Sequence, residues 1–308
     1  MSIARAPRTP RADGWPALPY EAWHETAATL HMWTQVIGKI QLAQTPRINH
    51  WWNATSQISA RGLATSPIPW GNEAFAFEFD FIDHQLHIRA TDGGHEMIAL
   101  EPKAVAVFYR EVMDRLEEMG YPVEIWPMPV EVEAPVRFDA DTEHHAYDAE
   151  YAHRFFRALV QMERVFTEFR ARFLGKVSPV NFYWGSFDVA LTRFSGRRAP
   201  DHPGVPVVAD FVTREAYSHE VCSAGFWPGA GLGEAAFYTY AYPEPDGFRD
   251  AEVEPPEAYY LGELGEFVLP YEAVRTAGDP DAALLGFLQS TYDAAAELGR
   301  WERGELER

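Results

Sequence analysis

Apolar side chains recur every three or four positions between residues 20 and 42, at Trp23, Ala27, Leu30, Trp33 and Ile37. That spacing puts them on one side of a helix, and Gly38 stands where the helix would stop. The period then changes. Residues 48–60 read as a strand. Phe75, Phe77, Phe79 and Phe81 alternate strictly, and Leu86 and Ile88 resume after a turn near Asp83-His84, which predicts a hairpin. Val105, Phe108, Val112, Leu116 and Met119 return to helical spacing, closed by Gly120. The stretch PVEIWPMPVEVEAP suits an edge or bridging segment, because proline lacks the N–H that a central strand needs. FDADTEHHAYD reads as a loop ending in a helix N-cap.

The succession then repeats. DAEYAHRFFRALVQMERVFTEFRARFLGK is a long amphipathic helix ending in Gly175-Lys176, as the first ends in Gly38-Lys39. Aromatic strands follow both, NHWWNATSQISAR and NFYWGSFDVALTR, with Trp52 and Trp184 at the same offset from Arg61 and Arg193. AAFYTYAYPEP matches the phenylalanine hairpin and GEFVLPYEAV resembles HEMIALEPKAV. A last helix closes at Gly299 as the earlier one closes at Gly120. This order implies a diverged internal duplication, each unit running helix, antiparallel strands, helix. The expected fold is α+β, with the two units forming one pseudo-twofold body and a cleft at their seam. Residues 1–14 are expected to be a flexible tail, 15–135 the first unit and 136–308 the second, packed tightly on the first.

Charge narrows the partners. A net charge of −20 repels phosphate backbones and anionic lipid surfaces, so neither nucleic acid nor a membrane is expected. No apolar run approaches the roughly 20 residues of a membrane span, and the Arg- and Pro-rich start lacks the apolar core of a signal peptide. The single cysteine, Cys222, allows no intrachain disulfide, and a cytoplasmic location is the default expectation. P-loop, nucleophile-elbow and His-Glu-x-x-His motifs are absent. Aromatic residues make up 14%, enough to wall a stacking cavity as well as a core.

Strand alternation puts His50 and Trp52 at the entrance of the core-facing side, and puts Asp188 on one side with Phe182, Trp184 and Ser186. A carboxylate among aromatics must be paired, either with Arg193 or Arg197 or in orienting a ligand. In TREAYSHEVCSAGFWPG the same alternation brings Glu215, Tyr217 and His219 to one face. Such a face could supply an acid–base pair, or could be the solvated side of an edge strand. Glu215 and His219 would lie about 13 Å apart, too far to share one ion. His31 with Gln35, one helical turn apart, suits hydrogen bonding to a ligand. The histidines of the acidic loop at 139–148 read as a solvated linker.

LHMWTQVIGK, NHWW, RGLATSPIP, SPVNFYWGSFDVALTRFSGR and EAYSHEVCSAGFWPG resemble hallmark segments of a bacterial family catalogued as a domain of unknown function, family 5996. The resemblance spans roughly Trp15 to Trp301. It implies one full-length family domain and no particular activity. It also implies that a histidine often found in the family is replaced here by Asn181. The expectation from residues and resemblance together is a small-molecule-binding protein, an enzyme of unspecified reaction, with a pocket between the halves. His50, Asp188, Glu215 and His219 are its candidate catalytic groups. His31, Trp33, Trp52, Arg61, Trp184, Arg193 and Trp227 are its candidate ligand-binding groups. No metal ligands are assigned, and neither cofactor nor oligomeric state is specified. The alternatives are a non-catalytic sequestering protein and a metal-dependent enzyme using histidine and carboxylate ligands.

Overall fold

Twelve strands among the described residues join one antiparallel sheet, and the long helices pack on one of its faces. The computed structural model describes residues 14–205 and 208–308. The expected flexible tail therefore lies outside the described residues, Gly14 excepted. In chain order the first half runs α1 (His24–Gln44), β1 (Ser56–Ile58), β2 (Gly62–Thr65), β3 (Ile68–Trp70), β4 (Glu73–Asp80), β5 (Gln85–Ala90), β6 (His95–Ala99) and α2 (Val105–Glu118). The second runs α3 (Ala149–Ala171), β7 (Asn181–Tyr183), β8 (Asp188–Arg198), α4 (Asp210–Ala216), β9 (His219–Trp227), β10 (Ala236–Tyr242), β11 (Tyr259–Leu261), β12 (Glu266–Pro270), α5 (Tyr271–Thr276), α6 (Pro280–Leu298) and α7 (Arg303–Leu306). Across the sheet the order is β11-β12-β10-β9-β8-β7-β1-β2-β4-β5-β6, with β3 beside β4. The α+β expectation is met.

The strands follow from period-two patterning. Phe75, Phe77 and Phe79 of β4 with Leu86 and Ile88 of β5 bury one face of the first half, and Val189, Leu191, Phe226, Phe237, Phe267 and Leu269 bury the same face of the second. Asp148 caps α3 by accepting the Tyr151 N–H, as the loop's composition predicts. Gly120 follows the end of α2 with a left-handed φ of 86°.

Four local expectations give way. Residues 49–54 form a 3-10 turn, not strand, because His50 and Trp51 take left-handed φ values of 57° and 60°. Residues 210–216 are helical, so Glu215 and Tyr217 precede strand β9 rather than alternate within it. Residues 184–187 turn tightly, so Asp188 pairs with Tyr183 and faces away from core-packed Phe182. Gly38 does not stop α1. It sits mid-helix under the Trp184 indole, where a Cβ on residue 38 would come within 2.3 Å of the ring. Trp184 also donates its indole N–H to the Ala54 carbonyl, locking the turn to the first half.

Gly38→Ala therefore sets helix propensity, worth about 1 kcal/mol in favour of alanine, against overpacking, costing about 1–3 kcal/mol. The expected result is a net loss of stability, seen as a lower denaturant midpoint. A higher midpoint would show that Trp184 yields easily.

Candidate functional site

The sheet face opposite the helices is polar in the second half, and three neighbouring strands organise it. Asp188 opens β8, Gly225 lies on β9 and Tyr238 on β10, with Tyr238 and Ala190 both paired to Gly225. A side chain on β10 must cross β9 to reach β8, roughly 10 Å away. It does so because Gly225 has none of its own: a Cβ there would fall 2.3 Å from the Tyr238 ring. The Tyr238 hydroxyl thus donates to Asp188 Oδ2, while Ser186 donates to Oδ1. Trp227 stacks on Tyr238 with ring centroids 4.2 Å apart, and Tyr240 continues the row nearly parallel to it. Tyr217 donates to the Tyr240 hydroxyl at 3.0 Å.

Among the described residues Asp188 has no cationic partner; Arg193 and Arg197 both point elsewhere. Burial raises its pKa from 3.8 to about 6, outweighing the hydroxyls that favour its charge. Glu131, from the segment between the halves, approaches Gly185 and is pushed up to about 7 by burial and by the negative charge of Asp188. Glu266 of β12 is pushed up to about 8 by the same two causes, and its Oε2 is buried without a hydrogen-bond partner. Three carboxyl groups are thus held near neutrality's edge among Tyr183, Tyr217, Tyr238 and Tyr240.

A basic cluster lies further along the same face. Lys176 Nζ donates to His50 Nε2 at 2.7 Å, so the His50 proton sits on Nδ1. Lys176 also lies over the Phe194 and Trp52 rings, at 4.7 and 5.4 Å from their centroids. His219 packs edge-on to His50 at 6.4 Å. Burial lowers the pKa of all three, and the Lys176 charge lowers both histidines further. Glu215 accepts the His50 backbone N–H at 3.2 Å and pairs with Arg47, so it holds the left-handed turn in place rather than facing a ligand. Trp52 links the clusters: it packs on His50 and Phe194 and reaches Tyr183, which lies beside Asp188.

Of the expected residues, His50, Trp52, Asp188, Glu215, His219 and Trp227 therefore gather on or around this face. The other five do not. Trp33 is wholly buried, stacked on Phe108 and Tyr147. Trp184 is spent on Gly38 and Ala54. Arg193 points into the core, its guanidinium 3.4 Å from the Phe169 ring centroid, so it does not share a face with its sequence counterpart Arg61. Arg61 binds Asp80 and Asp83 in the first half. His31 bonds the Gly185 carbonyl and Gln35, and burial lowers its pKa to about 4. A separate cleft of about 670 Å³, lined by Arg172, Glu254, Gln289 and Asp293 among others, contains none of the expected residues. Glu131, Glu266 and the tyrosine row were missed. Tyr238, Tyr240 and Tyr242 alternate visibly in the sequence, but nothing local says that Gly225 lets one of them cross a strand.

The raised Asp188 pKa has a definite sign. The folded state favours its protonated form, so the associated stability is present below about pH 4 and lost as pH rises to about 6. Asp188→Asn, which mimics the neutral acid, is expected to gain on the parent by about 1–3 kcal/mol across that window and then plateau. Urea midpoints of both proteins at several pH values measure it. A difference that stays flat with pH would mean that Asp188 titrates normally.

Among the described residues, no helix is long and apolar enough to cross a membrane, and no three His, Cys, Asp or Glu side chains are arranged to hold a metal ion. No curated protein and no solved structure matches the chain. The model of a family of unknown function, DUF5996, matches residues 15–308, and the chain belongs to that family.

Proposed function

We propose that the polar face of the second half-sheet binds a small molecule and acts on it by general acid–base chemistry. The observation that carries this reading is the Asp188–Tyr238 pair, flanked by Glu131 and Glu266, with no cation beside them among the described residues. Burying carboxyl groups without cations costs stability that a scaffold has no reason to accept. Groups poised on either side of neutral pH can give and take a proton in one turnover. Trp227, Tyr240 and Trp52 would offer stacking surfaces, and Lys176 with His219 would meet an acidic group on the same ligand.

A non-catalytic sequestering role uses the same surfaces and is favoured by the number of aromatic walls. The metal-dependent reading, which would use His50 and His219 with a carboxylate, draws little support from the donors present: Lys176 already occupies His50 Nε2, and among the described residues no third His, Cys, Asp or Glu completes a ligand set.

The halves are also proposed to descend from one duplicated unit. Supporting this, β1 and β7 pair antiparallel at mid-sheet, each follows a long helix, and a helix follows the last strand of each half. On that reading the site belongs mainly to one half, with His50 and Trp52 lent by the other.

A metabolite screen read by tryptophan fluorescence or thermal shift tests the function. The expected ligand binds at least 10-fold more weakly to Glu266→Gln and Lys176→Met, and Asp188→Asn abolishes any turnover while retaining binding. Arg61→Gln, far from this face, leaves binding unchanged. A ligand whose affinity ignores both Glu266→Gln and Lys176→Met, and whose turnover survives Asp188→Asn, would refute the assignment.

A further inference from the structure

Outside that face, the first half carries a second cluster of donor atoms. On β5 and β6, His87 is directly opposite Met97, and Arg89 is opposite His95. Directly paired residues project to the same side of a sheet, so His87, His95 and Met97 share one face. His87 Nδ1 lies 3.0 Å from His95 Nε2, with the rings stacked. The other His87 nitrogen, Nε2, lies 3.5 Å from Asp80 Oδ2. Asp80 is wholly buried and fixed by Arg61 and by the N–H groups of Ile82 and Asp83. Met97 is 53% exposed, so its thioether is not used to fill the core.

We propose that His87, His95 and Met97 form a binding site for a soft monovalent metal ion of the copper(I) class. Two imidazole nitrogens 3.0 Å apart, each roughly 2 Å from a shared ion, would subtend about 100° at it. A third ligand must then come from a side chain beside them. No third His, Cys, Asp or Glu is so placed among the described residues, which leaves a zinc-like site incomplete. The thioether opposite His87 completes the set, and imidazole with thioether selects copper(I) over harder ions. Asp80 stands behind His87, its Oδ2 3.5 Å from Nε2, so its charge favours the tautomer with the proton on Nε2. With its proton on Nε2 toward Asp80, His87 presents a bare Nδ1. His95 needs only to shift its proton from Nε2 to Nδ1, so binding releases no net proton. Arg89 is paired with Glu78 at 2.9 Å, which offsets its charge beside the ion.

The test is anaerobic copper(I) titration of the full chain against a chromogenic chelator, with silver(I) as a redox-inert check. One equivalent is expected to bind. Met97→Leu should weaken it at least 10-fold without altering thermal unfolding, since the side chain is exposed. His95→Gln should weaken it further, and zinc(II) binding should be weaker and indifferent to Met97→Leu. X-ray absorption should show a sulfur neighbour that Met97→Leu removes. Copper(I) affinity unchanged by Met97→Leu, or no tighter in the parent than in a His87→Gln/His95→Gln variant, would overturn the site.

Discussion

One short seam joins the two halves of the sheet. β1 and β7 meet through a single register pair, Ser56 with Phe182, and the Asn181 amide oxygen accepts from Thr55 at 3.1 Å and Gln57 at 2.9 Å. Two or three side-chain hydrogen bonds would be a weak joint in water, worth about 1 kcal/mol each. Here the Thr55 bond is buried and the Gln57 bond half-buried, and the turn after β7 adds the Trp184 bond to Ala54 and the wedge on Gly38. The same seam positions the candidate site. β7 leads through that turn to Asp188, and the turn before β1 lays His50 and Trp52 beside Phe194 of β8. Asn181 is thus a joint in this chain.

Two buried charges show opposite solutions to desolvation. Arg193 is surrounded by aromatic faces, with Phe169, Tyr292 and Phe173 within 5.0 Å, and donates to the Phe169 carbonyl. Burial still lowers its pKa to about 10, so it stays charged at neutral pH, held by π faces and a carbonyl. Asp188 receives only hydroxyls, and two further acids crowd it. The first arrangement is part of the core, although the Arg193 Nε is buried without a hydrogen-bond partner among the described residues. The second leaves a carboxyl group whose charge state depends on its surroundings.

The sequence made the long elements legible because their periods are unambiguous. The phenylalanine hairpin, α2 and α3 stand where alternation or helical spacing puts them. What failed were stretches where backbone geometry overrides side-chain pattern. His50 and Trp51 adopt a conformation rare for their residue types, held by the Glu215 carboxylate 165 residues away in sequence. Alternation counted through such a turn, or through residues 184–187, assigns faces wrongly. Alternation therefore points to Asp188 and His50 for partly mistaken reasons, and it does not show that Arg193 turns into the core while Arg61, matched to it in sequence, binds Asp80 and Asp83. Glu131 and Glu266 could not be seen at all, since only the folded sheet brings them near Asp188.

Among the described residues the strand order ends in β11 and β6, and β3, paired only with β4, adds a short free edge of three residues. Each exposes backbone groups that another chain could pair with. β11 is three residues long and β6 five. Beyond β6 the chain passes through Glu101 and Pro102 into α2, and before β11 it passes through Pro255 and Pro256. A strand docking on β11 or β6 would find only a few unpaired groups before proline or a helix ended the template. Together with mutual repulsion between copies carrying −20 each, this guards so wide a sheet against stacking edge to edge into fibres.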